Sequence, residues 1–260
     1  MSYTNTYNRN NPGLIIFLLD QTCITSDFTI DGCLAARKFI DFIDDSLVEL
    51  LHRNICGREI RNRCFIYIIS YGADTIKMIS EGYIGEFEKY IVREHPYPHK
   101  FSFKEQVKTL SDGCPNVNDG LDSVFEILEC WKENAINGNF TCDHVPLVIH
   151  IGTGVSSNYE DLELIGNKIQ SIEFNDGNPI IANFIFNPYF ENVEIDFCDS
   201  IDTYHKELKY FLNISSGVHL GLAGNSETCD FFMKHPNYKF LFVNSKISPK
   251  DLIRNLYKLC

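Results

Sequence analysis

The feature that most constrains the fold of this chain is a series of short apolar runs that alternate with amphipathic stretches. The first run, residues 14–19 (LIIFLL), is apolar at six consecutive positions, and predominantly apolar runs recur at 145–151, 179–186 and 239–244. A strand that is apolar at every position is typical of a parallel sheet covered by helices on both faces. The pattern therefore predicts an α/β protein with a doubly wound, mostly parallel central sheet.

The stretches between these runs supply the remaining elements. Apolar residues at helical spacing predict helices over 31–53, 118–134, 159–174, 204–212 and 248–259. Residues 63–71 (RCFIYIISY) indicate another strand, and the short turn before residues 75–80 predicts an antiparallel hairpin, which gives the sheet one antiparallel edge strand. Residues 81–110 have no clear period, and we expect a loop with one short helix there.

The chain has no linker long enough to separate two domains. We therefore expect a polar N-terminal tail, residues 1–12, followed by a single domain at 13–260. The N-terminus lacks a targeting signal, and its apolar run is far too short to span a bilayer. The ten cysteines include no CxxC pair, which disfavours a zinc ribbon or a thioredoxin-type dithiol. Since no signal peptide is recognised, we expect reduced thiols and a cytoplasmic location. The net charge of −12 disfavours nucleic acid as a partner, and no membrane partner is expected.

Polar segments follow the predicted strands at the edge where open parallel sheets bind ligands. They are DQTCIT at 20–25, SDGCPN at 111–116 and IGTG at 151–154. In this order they resemble the motifs of the von Willebrand factor A (VWA) family, above all its bacterial cytoplasmic branch. FLLDQTCIT stands where that family has a strand ending in DxSxS, DGCPN where it has a GTPM-like turn, and HIGTG where it has a strand ending in TDG. The segments DFIDDSLVELL, RCFIYIISYG, NISS and FLFVNS extend the resemblance over nearly the whole chain.

The resemblance implies a metal-ion-dependent adhesion site that has become degenerate. Members of the family hold Mg²⁺ through carboxylate and hydroxyl oxygens on these three loops, and Mg²⁺ demands hard oxygen ligands. Asp20 and Thr22 match the first motif, but Ile24 stands where a second hydroxyl is expected. Cys114 stands where threonine is expected, and Thr153 where the second carboxylate is expected. Because two hydroxyls and one carboxylate are missing, and because a thiol is a soft ligand, we expect no metal at this site. We expect no other cofactor either.

Asp20 has a simpler interpretation as well. A carboxylate at a strand end can accept hydrogen bonds from backbone N–H groups of the following loop, and Thr22 could do likewise. We expect this local structural role for Asp20. An alternative keeps weak Mg²⁺ binding at Asp20 and Thr22, with a partner's acidic residue or Asp27 or Asp112 completing the coordination.

Motifs of common enzyme classes are absent from the sequence. It contains no P-loop, no dinucleotide fingerprint and no GxSxG elbow. The remaining enzymatic alternative uses Cys114, which a helix N-terminus could activate, or the region between Ser215 and His219.

The leading functional hypothesis is a non-catalytic protein-interaction module that binds its partner without metal. The expected contact face is the remnant site, formed by Asp20, Thr22, Ile24, Cys114 and Thr153. The family resemblance implies a bacterial signalling, stress-response or defence system, with a kinase, a phosphatase or a larger complex as partner.

Overall fold

The computed structural model describes residues 10–22, 29–30, 33–92, 100–101, 113–138, 141, 144–190, 193–201, 205–217 and 237–256. Its main sheet has seven strands. In chain order they are β1 (Gly13–Asp20), β2 (Cys64–Tyr71), β3 (Ile76–Tyr83), β4 (Leu147–Gly152), β5 (Ile180–Ile185), β6 (Ile195–Cys198) and β7 (Lys239–Val243). Across the sheet the order is β6-β7-β5-β4-β1-β2-β3.

The predicted parallel core of the sheet is confirmed. β1 lies at its centre and pairs in parallel with β2 on one side and β4 on the other, and β4, β5 and β7 continue the parallel arrangement. All eight residues of β1 are buried, which explains why its sequence is apolar without alternation. The predicted hairpin is present, because β3 pairs with β2 in antiparallel orientation.

The opposite edge strand, β6, also runs antiparallel and was not predicted. Its four residues, IDFC, are largely half-buried, and the register against β7 shifts between Asp196 and Cys198. Phe197, between them, has a φ of 62°, a value that few residues other than glycine adopt. Residues 193–197 (VEIDF) alternate between apolar and polar positions, a signal that the sequence prediction did not use.

Helices cover both faces of the sheet. They are α1 (Ala35–Asn54), α2 (Val117–Ile136), α3 (Glu160–Gln170), α4 (Lys206–Ile214) and α5 (Pro249–Leu256). The core on one face includes residues of α1 and α5, and the core on the other includes residues of α2, α3 and α4. Side chains alternate along β1 between these two cores, with Ile15, Phe17 and Leu19 facing α1 and Leu14, Ile16 and Leu18 facing α2.

Several predicted boundaries differ from the structure. α1 begins at Ala35, because Thr29–Ile30 and Cys33–Leu34 pair as two short strands before it. In the region predicted as loop with a short helix, Ile84–Tyr90 forms a 3₁₀ helix and Ile91–Val92 pairs with Lys100–Phe101. A further two-residue pair joins Ile55–Cys56 to Glu59–Ile60 after α1.

Candidate functional site

The candidate site lies where the strand order of the sheet reverses. From β1 the chain proceeds to β2 on one side, and it later returns to β4 on the other side of β1. Ligands of open α/β sheets bind at such a switch point, outside the carboxyl ends of the strands. Asp20 is the last residue of β1, and Thr153 directly follows the last residue of β4. The sequence therefore placed both residues at the correct edge of the sheet.

The carboxylate of Asp20 is hydrogen-bonded through both oxygens. Its Oδ1 accepts from the backbone N–H of Thr22 at 3.1 Å and from the Thr22 hydroxyl at 2.8 Å. Its Oδ2 accepts from the Thr153 hydroxyl at 2.9 Å and weakly from the Thr153 backbone N–H at 3.4 Å. The predicted hydrogen bond from the following loop is confirmed, whereas the contact with Thr153 was not anticipated.

Asp20, Thr22 and Thr153 are all fully buried. Burial raises the pKa of the Asp20 carboxyl, and the hydrogen bonds from Thr22 and Thr153 oppose that rise. The same carboxylate adds to burial in raising the pKa of the nearby Cys114 thiol and of the Tyr71 hydroxyl. These four hydrogen bonds come from neutral groups, so the carboxylate is stabilised by dipoles in its immediate surroundings.

Asparagine side chains extend these contacts towards the far edge of the sheet. The backbone carbonyl of Thr153 accepts from Nδ2 of Asn187, which follows β5, at 2.8 Å. The backbone N–H of Asn187 donates at 2.9 Å to Oδ1 of Asn244, which follows β7. Asn244 has a φ of 45°, a left-handed conformation that asparagine tolerates better than most residues. We name Asp20, Thr22, Thr153, Asn187 and Asn244 the carboxyl-edge seam, because they link the ends of β1, β4, β5 and β7.

Other side chains at this edge are exposed. Cys114 is exposed in the Gly113-Cys114-Pro115 turn that leads into α2, as is Asn158 in the loop between β4 and α3. That loop is held against the turn by the backbone N–H of Ser157, which donates to the Pro115 carbonyl at 2.8 Å. Tyr189, two residues beyond Asn187, is 79% exposed. Of the predicted contact face, Cys114 alone is therefore shown on the surface, and Ile24 lies outside the described residues.

The second candidate nucleophile is in the interior. Ser215 is buried at the C-terminal end of α4, where its hydroxyl donates to the Phe211 carbonyl at 2.7 Å and accepts from Asn183 Nδ2 at 2.8 Å. His219 lies outside the described residues.

Two further features are absent from the ranges that the structure describes. Within those ranges, no group of three or more His, Cys, Asp or Glu side chains is placed to hold a metal ion. No helix in the same ranges is both long and apolar enough to cross a membrane.

Comparisons with known proteins give a distant structural likeness. No family model matches the chain, and no curated protein matches it. Among solved structures, the manganese-loaded TRAP protein of Plasmodium vivax is similar, with a TM-score of 0.34 and 14% sequence identity. The match covers 67% of this chain and 57% of that one, so this chain spans little more than half of the other protein's length. A likeness of this size carries no information on function.

Proposed function

We propose that this protein is a non-catalytic protein-interaction module that binds its partner at the carboxyl edge of the sheet and does so without metal. The observation that carries the proposal is the state of Asp20. Its carboxylate is fully buried, and both of its oxygens accept hydrogen bonds from Thr22 and Thr153. These contacts tie the loops after β1 and β4 to each other through protein atoms.

The residues at the family's metal positions do not fit Mg²⁺. They supply one carboxylate, from Asp20, and the hydroxyls of Thr22 and Thr153, whereas Cys114 brings a thiol and Ile24 brings no donor atom. Mg²⁺ requires near-octahedral coordination by hard oxygen ligands and disfavours sulfur. The hydroxyl of Thr153 donates to Asp20 from the position where the family resemblance calls for a second carboxylate. This donor set supports binding without metal.

Two further observations support a non-catalytic role. The raised pKa of Cys114 lowers the fraction of reactive thiolate, which is the opposite of what an activated nucleophile requires. Ser215 is buried and is engaged by Phe211 and Asn183. The surface offered to a partner then consists of loop residues above the seam, such as Cys114, Asn158 and Tyr189. The resemblance to the bacterial cytoplasmic branch of the VWA family favours a kinase, a phosphatase or a larger complex of a signalling, stress-response or defence system as that partner.

Thermal unfolding with and without divalent cations tests the metal-independent part of the proposal. We expect the same Tm in EDTA, in Mg²⁺ and in Mn²⁺. A ligand at a hundred times its Kd stabilises a native protein by about 2.7 kcal/mol, which a melting curve resolves easily. The matched positive control is the triple variant Ile24→Ser/Cys114→Thr/Thr153→Asp, which restores the family's oxygen donors and should melt higher in Mg²⁺. A rise in the Tm of the natural protein would favour the alternative of a weak Mg²⁺ site at Asp20 and Thr22.

Partner capture from the native host tests the binding surface. We expect the wild-type protein to retain the same partner in EDTA and in Mg²⁺, and Tyr189→Ala to retain much less of it. Ile136→Ala is the matched control, because Ile136 is also highly exposed, at 76%, but lies at the C-terminal end of α2. Equal loss in both variants, or capture that requires Mg²⁺, would contradict the proposal.

A further inference from the structure

Four buried polar side chains form a hydrogen-bonded chain across the sheet. The Tyr71 hydroxyl on β2 lies 2.7 Å from Nε2 of His150 on β4, and Nδ1 of His150 lies 2.9 Å from Oδ1 of Asn183 on β5. Asn183 Nδ2 donates at 2.8 Å to the Ser215 hydroxyl, which donates to the Phe211 carbonyl in α4. The four polar residues are each at most 1% exposed. The chain therefore connects the end of β2, close to the candidate site, with the end of α4.

The hydrogen bonds of this chain fix the position of every proton in it. Because the amide nitrogen of Asn183 already donates to Ser215, its oxygen faces His150 and can only accept, so Nδ1 of His150 carries the proton. Nε2 is then an acceptor, and the Tyr71 hydroxyl donates to it. The donors run in one direction from Tyr71 to the Phe211 carbonyl.

The surroundings of His150 disfavour a positive charge. Among the described residues, the groups facing its ring are Tyr71 from β2, Asn183 from β5 and Phe211 from α4, whose ring stacks on the imidazole at 5.7 Å and 11°. Of these, Tyr71 alone titrates, and burial together with the charge of Asp20 raises its pKa well above the ordinary value, so it stays neutral. Burial lowers the pKa of His150 from 6.5 to about 4, and the hydrogen bond with Asn183 opposes that shift.

We propose that Tyr71, His150, Asn183 and Ser215 form an acid-sensitive latch, which holds α4 against the sheet while His150 is neutral and protonated on Nδ1. A second proton, taken from solvent onto Nε2, turns the acceptor of the Tyr71 hydroxyl into a donor. The Tyr71 hydroxyl hydrogen then has to turn away from Nε2, and the positive charge on His150 is left fully buried. Both effects favour a state in which α4 separates from the sheet and His150 reaches water.

The ¹⁵N NMR signals of the His150 imidazole, recorded on the whole chain, test which ring nitrogen carries the proton. We expect a neutral ring with its proton on Nδ1 from neutral pH down to about pH 5, and titration only near pH 4. A ring protonated on Nε2, or titration at the ordinary value of 6.5, would overturn the proposal.

Hydrogen exchange tests the release of α4. After correction for intrinsic exchange rates, the protection of α4 amides should fall roughly tenfold or more between about pH 6.5 and 4.5, with β1 amides changing much less. Tyr71→Phe removes the hydrogen bond that favours neutral His150, so the pKa of the folded-state ring moves closer to 6.5 and this pH-dependent loss of protection should become smaller. Tyr67→Phe, on the same strand but outside the latch, should leave the loss unchanged. The latch would be contradicted if amide protection fell equally in α4 and β1. It would also be contradicted if Tyr71→Phe and Tyr67→Phe showed the same dependence of α4 protection on pH.

Discussion

Within the described part of the chain, Thr153 contacts residues of the carboxyl-edge seam on both sides of β4. Its hydroxyl donates to Asp20 across the switch point between β1 and β4, and its backbone carbonyl accepts from Asn187 on the other side. Asp20 is fully buried, so solvent does not replace the Thr153 hydroxyl as a hydrogen-bond donor when that hydroxyl is removed. The stability of the carboxyl edge should therefore depend on one hydroxyl group.

Replacing Thr153 by valine tests this dependence. Valine keeps the shape of the side chain but leaves Oδ2 of Asp20 with one weak donor, so we expect the free energy of unfolding to fall by about 1–3 kcal/mol. Urea denaturation measures the change. Thr153→Ser keeps a hydroxyl and should recover part of the loss. Thr75→Val is the matched control, since the Thr75 hydroxyl bonds Asp74 in an exposed position and its removal should cost less than about 0.5 kcal/mol. Equal losses at Thr153 and Thr75 would mean that the hydrogen bond to Asp20 contributes little.

At the residue scale, the sequence indicated which residues reach the site but not how they pair. Asp20 and Thr22 are neighbours in the chain, so their contact follows from a local motif. The donor from Thr153 is 133 residues away, and its pairing with Asp20 depends on β1 and β4 being adjacent strands. His150 lies within an apolar run and gave no signal of its own, because its partners Tyr71 and Asn183 come from two other strands.

At the element scale, the strands and helices that were predicted correctly are those with a strong local pattern of apolar residues. The buried strands were predicted because they are continuous apolar runs, and the long helices were predicted because apolar residues recur in them at helical spacing. β6, a short edge strand with an irregular register, was missed because the alternation over residues 193–197 was not used. α5 was predicted to begin near Ser248, and the structure gives the reason for that start. The backbone N–H and hydroxyl of Ser248 both donate to the Asp251 carboxylate, at 3.0 and 2.7 Å, and Pro249 occupies the first helical position.

The start of α5 gives the prediction that belongs to this scale. Ser248→Ala removes the capping hydroxyl and should lower the free energy of unfolding by about 1 kcal/mol. Ser171→Ala is a suitable comparison, since the exposed Ser171 hydroxyl bonds the carbonyl of Lys168 at the C-terminal end of α3 and caps no helix start. Chemical denaturation measures the free energy of unfolding of both variants, and we expect the larger loss for Ser248→Ala. An unchanged midpoint for Ser248→Ala would show that Pro249 suffices to start the helix.

At the scale of the whole molecule, the two hydrophobic cores share one sheet. The central strand β1 contributes Phe17 to the core under α1 and Leu18 to the core under α2. Neither core can lose its packing without exposing one face of the same strand. The sequence predicted a single domain from the lack of a linker, and this shared strand supplies a physical reason to expect cooperative unfolding.

A cavity on one face should therefore destabilise the other face equally. Leu47→Ala opens the core under α1 and should lower the free energy of unfolding by about 2–5 kcal/mol. Trp131, the one tryptophan of the chain, reports on the opposite face, where it packs against Phe65 at 5.3 Å. If both faces of the sheet unfold together, Leu47→Ala lowers the unfolding midpoint seen by Trp131 fluorescence as much as the midpoint seen by far-UV circular dichroism. Leu128→Ala, in the core around Trp131, is the matched comparison and should shift both signals in the same way. A Trp131 transition that stays in place while the circular dichroism transition moves would show that the two faces unfold separately, and the single-domain prediction would then be wrong.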